Sequence, residues 1–406
     1  MTPQMVRKRH VFFISGFDPR GAAHFYRLYA TGVASQSQTS GHQYQVGPRE
    51  RAADPLVQSW RVGWHGSAAD PMDAVQTTVE FLSWDDLVRA NWPKGALQVA
   101  WGSVLAYVAM LSSGLALVRV WQQSRRTLIL LAYPAVLWLL ALLCGAGMAW
   151  ALVHALGRAG AAGSWLPMTT AAVSWAAAAL VLVGTSWAVL RLEGWLQTSR
   201  LLRIYRFSDL WARQKLPNLE DRLEKMSARV SDRLKLADAD EVLVIGFSVG
   251  TLLAASVTAR ALAKCADDSA ATERLSLLTL GHCIPLLGLL PAADRFREEL
   301  AVLAGAPQPF WADYSSPSDW GSFALVNPFD ICRITIDGRK PAAPVLLSPR
   351  FHTLFDAKDY ALLKKDKLRL HSQYLMSAPK VGAYDYFLMT AGPWRLLQGL
   401  ASKMHT

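Results

Sequence analysis

The stretch DEVLVIGFSVGT, residues 240–251, decides the fold of this chain. Val242 to Ile245 form the continuous apolar run of a central parallel strand, and a mostly apolar helix follows from Leu252. Between them lies Gly-x-Ser-x-Gly, whose glycines let strand and helix pass closely while the serine projects outward. The stretch predicts a nucleophile elbow at Ser248, and the alternative is an ordinary tight turn with an idle serine.

Strands and helices alternate on either side of this stretch. Helices are predicted near Ala23 to Ala30, from Pro217 onward, and at Ala292 to Leu303. Strands are predicted at His10 to Ser15, Tyr44 to Val46, Val57 to Trp64, Val79 to Trp84, Leu275 to Leu280 and Phe310 to Tyr314. This order predicts an α/β fold with a mostly parallel sheet and helices on both faces.

A long apolar segment separates the early strands from the serine strand. The 406 residues are 52% hydrophobic and include 16 Trp, more than a soluble domain usually needs. Charge is absent between Lys94 and Arg119, between Arg126 and Arg158, and between Arg158 and Arg191. Each interval exceeds the roughly 20 apolar residues that cross a bilayer. A membrane-embedded helical insertion is therefore predicted.

The number of spans follows from the sheet. If the strands before and after the insertion share one sheet, the chain must cross the membrane an even number of times. Arginines flank the second and third intervals, whereas only Arg158 lies between them. We therefore predict a two-span hairpin at about 127–152 and 167–190, with both ends in the cytoplasm. Residues 95–118 are predicted to lie along or dip into the membrane, with a further span as the alternative, and 192–211 to form an amphipathic interfacial helix.

These boundaries predict three parts of the chain and a location. Residues 1–93 and 212–406 would form the two portions of one domain, and 94–211 the insertion. The apolar run after Arg9 is too short for a signal peptide. We expect a multi-pass protein of the bacterial inner membrane, with the sheet domain on the cytoplasmic side. The oligomeric state is left open.

Charge and cysteines narrow the classes of partner. The formal charge of +11 comes from scattered arginines without a nucleic-acid motif, so an anionic membrane surface is the expected partner and nucleic acid is not. The four cysteines, Cys144, Cys265, Cys283 and Cys332, lack the spacing of a disulfide framework or a zinc site. They are expected to be free buried thiols, and no metal or cofactor is predicted.

A catalytic Ser248 requires a histidine base and a carboxylate that orients it. The base is predicted to be His371, near the end of the folded chain, with His352 as the next candidate; His282 and His405 also follow the serine. The acid is predicted to be Asp319, in the turn after the strand at 310–314, with Asp330 as the alternative. Asp313 is expected to lie within that strand.

The oxyanion of an acyl-transfer intermediate needs two N–H donors. The Val249 N–H, directly after the serine, is one candidate. The Phe17 N–H, in the loop after the first strand, is the other, with Gly16 permitting close approach. The alternative is a purely structural role, in which this glycine-containing loop only reverses the direction of the chain.

Gly246 to Gly250, Gly16-Phe17, Asp319 and His371 together give the chain a resemblance to the α/β-hydrolase superfamily, particularly its lipase- and esterase-like members. The resemblance covers about residues 8–90 and 215–400. Ser15 departs from the pattern, since many members have histidine before the glycine.

The resemblance implies a membrane-anchored serine hydrolase that cleaves carboxylic esters or thioesters of apolar acyl chains through a Ser-His-Asp triad and an acyl-enzyme. The substrate would be a lipid or an acylated small molecule. The competing expectation is a catalytically inactive membrane protein that uses the domain for binding or scaffolding.

Overall fold

The structure is a computed structural model that describes residues 5–67, 74–92, 95–112, 114–123, 125–161, 167–196, 198–339, 341 and 344–404. Its strands join in one sheet. They are β1 (Lys8–Ile14), β2 (His42–Val46), β3 (Glu50–Arg51), β4 (Val57–Ser67), β5 (Val75–Leu82), β6 (Glu241–Phe247), β7 (Leu275–Leu280), β8 (Phe310–Tyr314) and β9 (Val345–Leu347).

Helices occupy most of the remaining described chain. Before β6 they are α1 (Ala22–Ser40), α2 (Asp85–Ala90), α3 (Ala96–Leu111), α4 (Gly114–Gln123), α5 (Arg125–Ala161), α6 (Pro167–Leu196), α7 (Thr198–Ala212) and α8 (Leu219–Leu236). After β6 they are α9 (Gly250–Lys264), α10 (Ser269–Glu273), α11 (Pro285–Gly288), α12 (Asp294–Gly305), α13 (Pro328–Cys332), α14 (Phe351–Leu354), α15 (Ala357–Lys365), α16 (Lys367–Ser372), α17 (Tyr386–Ala391) and α18 (Leu396–Met404).

The sheet is mixed but mostly parallel. Its strand order is β2-β4-β5-β1-β6-β7-β8-β9, with β3 paired to β4. The six strands β5, β1, β6, β7, β8 and β9 run parallel to one another, whereas the pairs β2–β4, β3–β4 and β4–β5 are antiparallel. The predicted α/β class with a mostly parallel sheet is thus confirmed. β1 pairs with β5 on one side and β6 on the other, so strands from both sides of the insertion belong to one sheet.

Both faces of the sheet are covered by helices. Along β1, Phe12 and Ile14 join a core with α8, α9 and α12, while Val11 and Phe13 join a second core with α1 and the carboxyl-terminal helices. β6 alternates in the same way, and all seven of its residues are buried. Because successive side chains of a strand point to opposite faces, a strand buried on both faces has the unbroken apolar run seen at 242–245.

The described residues between 95 and 212 are almost all helical and form an insertion in the sheet domain. Two of its helices are long and apolar enough to cross a membrane, over Leu128–Arg158 and Ala171–Ala188, with mean hydropathy of 2.4 and 1.6. Only 17% and 11% of the residues in an 18-residue apolar stretch of each helix are buried, so they expose apolar surface that a soluble core helix would cover. The predicted segment 95–118 folds as two shorter helices, α3 and α4. Helix α7 buries one face against α3 and the sheet domain, with Phe207 only 1% exposed.

Helix α5 contains Pro134, which has no N–H to donate to Leu130 four residues earlier. The hydroxyl of Tyr205 on α7 donates to that carbonyl oxygen instead, at 3.1 Å. One position along, the Tyr107 hydroxyl of α3 donates to the Leu131 carbonyl at 2.9 Å and accepts from the N–H of residue 135 at 3.2 Å. Two tyrosines therefore take over backbone bonds where proline interrupts the ladder.

The four cysteines are free. Cys265, Cys283 and Cys332 are buried as expected, but Cys144 is exposed on α5. The expectation of four buried thiols is therefore wrong at this position. Cys144 lies on a helix whose apolar side chains point away from the rest of the molecule. The low polarity of this thiol therefore does not predict that it is buried within the protein.

Candidate active site

The turn after β6 has the geometry of an elbow. Ser248 sits at φ of +55°, a left-handed conformation that a residue with a side chain adopts only at some cost in energy. The close approach predicted for the glycines is present. A Cβ on Gly250 would lie 2.3 Å from the Ser15 carbonyl oxygen, and one on Gly246 would lie 2.7 Å from the Thr251 Cα. Only glycine therefore fits at either position, and Ser248 is left at the start of α9.

Three side chains from distant parts of the chain form one hydrogen-bonded row. Ser248 Oγ lies 2.8 Å from His371 Nε2, and His371 Nδ1 lies 2.8 Å from Asp319 Oδ2. A carboxylate only accepts hydrogen bonds, so Nδ1 carries the ring hydrogen and Nε2 can accept the serine proton. Ser248 follows β6, Asp319 lies in the loop after β8, and His371 is in α16. The structure thus brings together the three residues that the sequence singled out.

Asp319 is buried and well supplied with donors. Besides His371, the Gly321 N–H donates to its Oδ1 at 2.9 Å and the Tyr374 hydroxyl donates to its Oδ2 at 3.0 Å. Burial alone would raise the pKa of Asp319, but the charge and hydrogen bond of His371, with these two donors, outweigh burial and hold the pKa below its ordinary value. The carboxylate is therefore ionised and fixes the imidazole in one orientation.

The loop after β1 lies directly against the elbow. A Cβ on Gly16 would be 3.0 Å from the Ser248 Cβ and 3.5 Å from its Oγ. Phe17, the next residue, is buried, and Val249 begins the turn into α9. Both segments predicted to supply oxyanion donors are therefore adjacent to the serine, and the approach at Gly16 is so tight that a side chain there would require its neighbours to shift.

An aromatic cluster supports this loop. The Phe17 ring stacks on Trp92 at 5.6 Å and packs on Phe207 of α7 at 5.2 Å. Trp84 packs on Phe207 as well, and its Nε1 donates to the Ser15 carbonyl at 2.9 Å. Because α7 belongs to the insertion, the insertion and the Gly16 loop are packed together through this aromatic cluster.

The competing candidates lie elsewhere. Asp330 is in α13, and the carboxylate bonded to His371 is that of Asp319. His352 is in α14, with its ring beside Tyr360. His282 is buried 3.9 Å from Asp313, which lies within β8 as predicted. His405 falls outside the described residues.

Sequence reasoning missed two residues at the site, Tyr374 and Cys283. Tyr374 follows His371 by three positions, a spacing that puts neighbouring side chains on one face of a helical turn and could have indicated it. Its hydroxyl binds Asp319 and also accepts from the Ser316 N–H at 2.8 Å. Cys283 has no sequence signal. Burial raises the pKa of its thiol to about 12, with the charge of Asp319 adding to the effect, so it stays protonated beside Ser248.

Within the described residues, no group of three or more His, Cys, Asp or Glu side chains is placed to hold a metal ion. Comparisons with protein-family models, with curated proteins and with solved structures gave no significant match to the chain.

Proposed function

We propose that this chain is a membrane-anchored serine hydrolase of the α/β-hydrolase type, which cleaves carboxylic esters or thioesters of apolar acyl chains. The observation that carries the proposal is the row Ser248–His371–Asp319, with both hydrogen bonds at 2.8 Å. A serine held at positive φ at a strand–helix turn, with base and acid in the chain order serine, aspartate, histidine, is the arrangement of that class.

The reaction would begin with attack of Ser248 Oγ on the acyl carbonyl carbon while His371 Nε2 takes the hydroxyl proton. The carbonyl oxygen then becomes an oxyanion, for which the Val249 and Phe17 N–H groups are the proposed donors. As the tetrahedral intermediate collapses, the leaving alcohol or thiol takes the proton from His371, and the acyl group remains on Ser248. Water then attacks the acyl carbonyl carbon and gives a proton to His371, which passes it to Ser248 Oγ as the bond between the acyl carbon and Oγ breaks and the carboxylic acid leaves.

The insertion supports a membrane anchor and an apolar substrate. β1, β5 and β6 are parallel, so Leu82 at the end of β5 lies at the same sheet edge as Ser248. The chain enters the insertion from that edge. We propose that α5 and α6 cross the bilayer as a hairpin, since a sheet shared by strands on either side requires an even number of crossings. The catalytic domain would then face the cytoplasm with Ser248 near the lipid.

A fluorophosphonate probe tests the enzyme directly. The purified full-length protein in detergent is expected to be labelled, and Ser248→Ala is expected to abolish labelling without lowering the unfolding temperature. Ser256→Ala is the matched control, because this buried serine of α9 bonds to Glu299 and is expected to leave labelling intact. If folded wild-type protein stays unlabelled, the hydrolase proposal fails and a binding or scaffolding role takes its place.

A further inference from the structure

Side-chain contacts of the α5–α6 hairpin indicate how deep its parts would lie in a bilayer. The Arg191 guanidinium lies over the Trp187 ring at 5.0 Å, a pairing of the residue types that anchor helices at the membrane surface. Gly145 of α5 packs against α6, since a Cβ there would lie 2.7 Å from Thr185 Oγ1 and 3.2 Å from Leu182 Cδ2. In an antiparallel pair, Arg191 is then level with about residues 136–139 of α5.

The distance along α5 from residues 136–139 to Arg158 matches the thickness of a bilayer. It amounts to about 20 residues, or roughly 30 Å of helix, which is the thickness of the hydrocarbon layer. Tyr133 lies one to two helical turns before residues 136–139. It would therefore lie among the lipid headgroups on the side of the sheet domain.

Helix α16, which carries His371, reaches the same depth. The Lys367 ammonium lies 5.9 Å from the centre of the Tyr133 ring and 6.0 Å from that of Trp320, the residue after Asp319. Lys367 and His371 are one helical turn apart. The base of the proposed triad is therefore joined to the membrane hairpin through this lysine.

The surface beside this contact is cationic. We call residues 364–369 the cationic segment; it contains Lys364, Lys365, Lys367 and Arg369 against one acidic residue, and all six residues are exposed. The acidic residue, Asp366, caps α16 by accepting from the residue 369 N–H at 3.0 Å. Leu368 and Trp320 stand 39% and 42% exposed next to these charges. Clustered cations with exposed apolar side chains are what an anionic lipid surface binds.

We propose that the cationic segment docks on anionic phospholipid headgroups of the cytoplasmic leaflet, with Leu368 and Trp320 dipping toward the acyl chains. The inference rests on the membrane hairpin of the proposed function. Docking would hold α16, and with it His371, at the leaflet surface, so that an amphiphilic substrate reaches Ser248 from the leaflet rather than from water.

The test measures the depth of residue 368 in the full-length protein. A Leu368→Cys variant in a Cys144→Ser background is labelled with a fluorophore and placed in nanodiscs that contain a headgroup spin-labelled lipid as quencher. Strong quenching is expected with phosphatidylcholine mixed with phosphatidylglycerol, and weak quenching with phosphatidylcholine alone or at high salt. Equal quenching in both discs, or none in either, would overturn the proposal.

Charge reversal provides the matched comparison. Lys364→Glu and Lys365→Glu are each expected to weaken docking by more than about fivefold, because the lost attraction of one lysine is worth about that factor and the new glutamate adds repulsion. Lys225→Glu and Lys235→Glu, at exposed positions of α8, should leave quenching unchanged. Fluorophosphonate labelling of the same samples separates the two ideas. Labelling without lipid-dependent quenching overturns the docking alone, whereas lipid-dependent quenching without labelling overturns the hydrolase alone.

Discussion

At the scale of single residues, buried charge is tolerated only where donors surround it. Asp319 keeps its charge because His371, Tyr374 and the Gly321 N–H all donate to it. An isolated carboxylate in such a place would instead take up a proton. Asp313 illustrates this contrast, since burial raises its pKa and its partners do not reverse the shift. One buried aspartate can thus orient a base while its neighbour is better suited to hold strands together.

The choice of acid gives the first prediction. Asp319→Asn is expected to lower kcat for an acyl ester about 10⁴-fold, as loss of the orienting carboxylate does in serine hydrolases, because the amide favours the wrong imidazole tautomer. Asp330→Asn is the matched variant and should retain wild-type kcat. Ester hydrolysis by both variants, with their unfolding temperatures, decides the matter. A larger loss in the Asp330 variant would mean that the acid is misassigned.

Glu80 of β5 gives a prediction about acid stability. Burial would raise its pKa, but hydrogen bonds with His10 and Arg229 outweigh burial and lower it from 4.5 to about 2. A carboxyl whose pKa is depressed by folding stabilises the native state above the unfolded pKa, and that stability is lost as pH falls from about 4.5 to about 2. Its contribution at neutral pH is on the order of 2 kcal/mol.

Replacement of this residue should therefore change the pH profile of unfolding. Glu80→Gln is expected to lower the unfolding temperature at pH 7 and to flatten its decline on the acid side. Thermal unfolding in detergent across a pH series measures both effects. Glu298→Gln, at an exposed position of α12, is the control and should follow the wild type. An unchanged acid limb in the Glu80 variant would contradict the assignment.

At the scale of elements, the sequence predicts the bounds of a strand well where a single pattern of burial continues along the whole strand. The strands His10 to Ser15 and Leu275 to Leu280 were predicted within two residues because their apolar runs are buried on both faces. The strand predicted from Val79 begins at Val75, since its first residues alternate and resemble a surface segment. Helix α7 was predicted to lie on the membrane, and its arginines suggested this, but its apolar side packs on Phe17 and Trp84.

The site could be predicted in part for similar reasons. Gly246 to Gly250 imposes its geometry locally, and the chain order of the catalytic class pointed to Asp319 and His371. Cys283 comes to Ser248 through tertiary packing between separate elements, and no local pattern specifies that contact. The contact of Tyr374 is with Asp319, and its only sequence signal is the three-residue spacing from His371.

Pro134 within α5 gives a prediction about helix packing. Tyr205→Phe removes the donor to the Leu130 carbonyl and is expected to cost about 1–2 kcal/mol of unfolding free energy, since the acceptor loses its bond within a packed region. Unfolding by sodium dodecyl sulfate in mixed micelles measures the change. Tyr26→Phe, whose hydroxyl bonds the Gly47 carbonyl on the far face of the sheet, controls for the loss of a hydroxyl alone without touching the insertion.

Proline supplies the second half of this test. In a Pro134→Ala background, the new N–H can bond to the Leu130 carbonyl, so Tyr205→Phe should cost less than in the wild type. An equal cost in both backgrounds would mean that the hydroxyl does not replace the bond that proline removes.

At the scale of the whole molecule, one sheet is built from both sides of the insertion. β1 holds β5 and β6 together, so its register depends on residues more than 150 positions apart. This shared sheet allows only an even number of membrane crossings between β5 and β6. The two helices suited to spanning meet that condition.

Topology reporters test this arrangement. A reporter inserted after residue 90 of the full-length protein and one fused after Thr406 are expected to report the same, cytoplasmic side, while one inserted between α5 and α6 should report the opposite side. Reporters that disagree between residues 90 and 406 would contradict a sheet domain on one side of a two-span hairpin. Activity of the fusions with the fluorophosphonate probe shows that each remains folded.

The position of β1 at the centre of the sheet also has a consequence for biosynthesis. β1 emerges from the ribosome well before its partner β6, which follows only after the insertion, and at ordinary synthesis rates the delay is roughly 10–45 s. During that time one edge of a strongly apolar strand is open to other chains. Cells that make this protein are therefore expected to need chaperone protection of the nascent β1 strand until β6 has been synthesised and pairs with it.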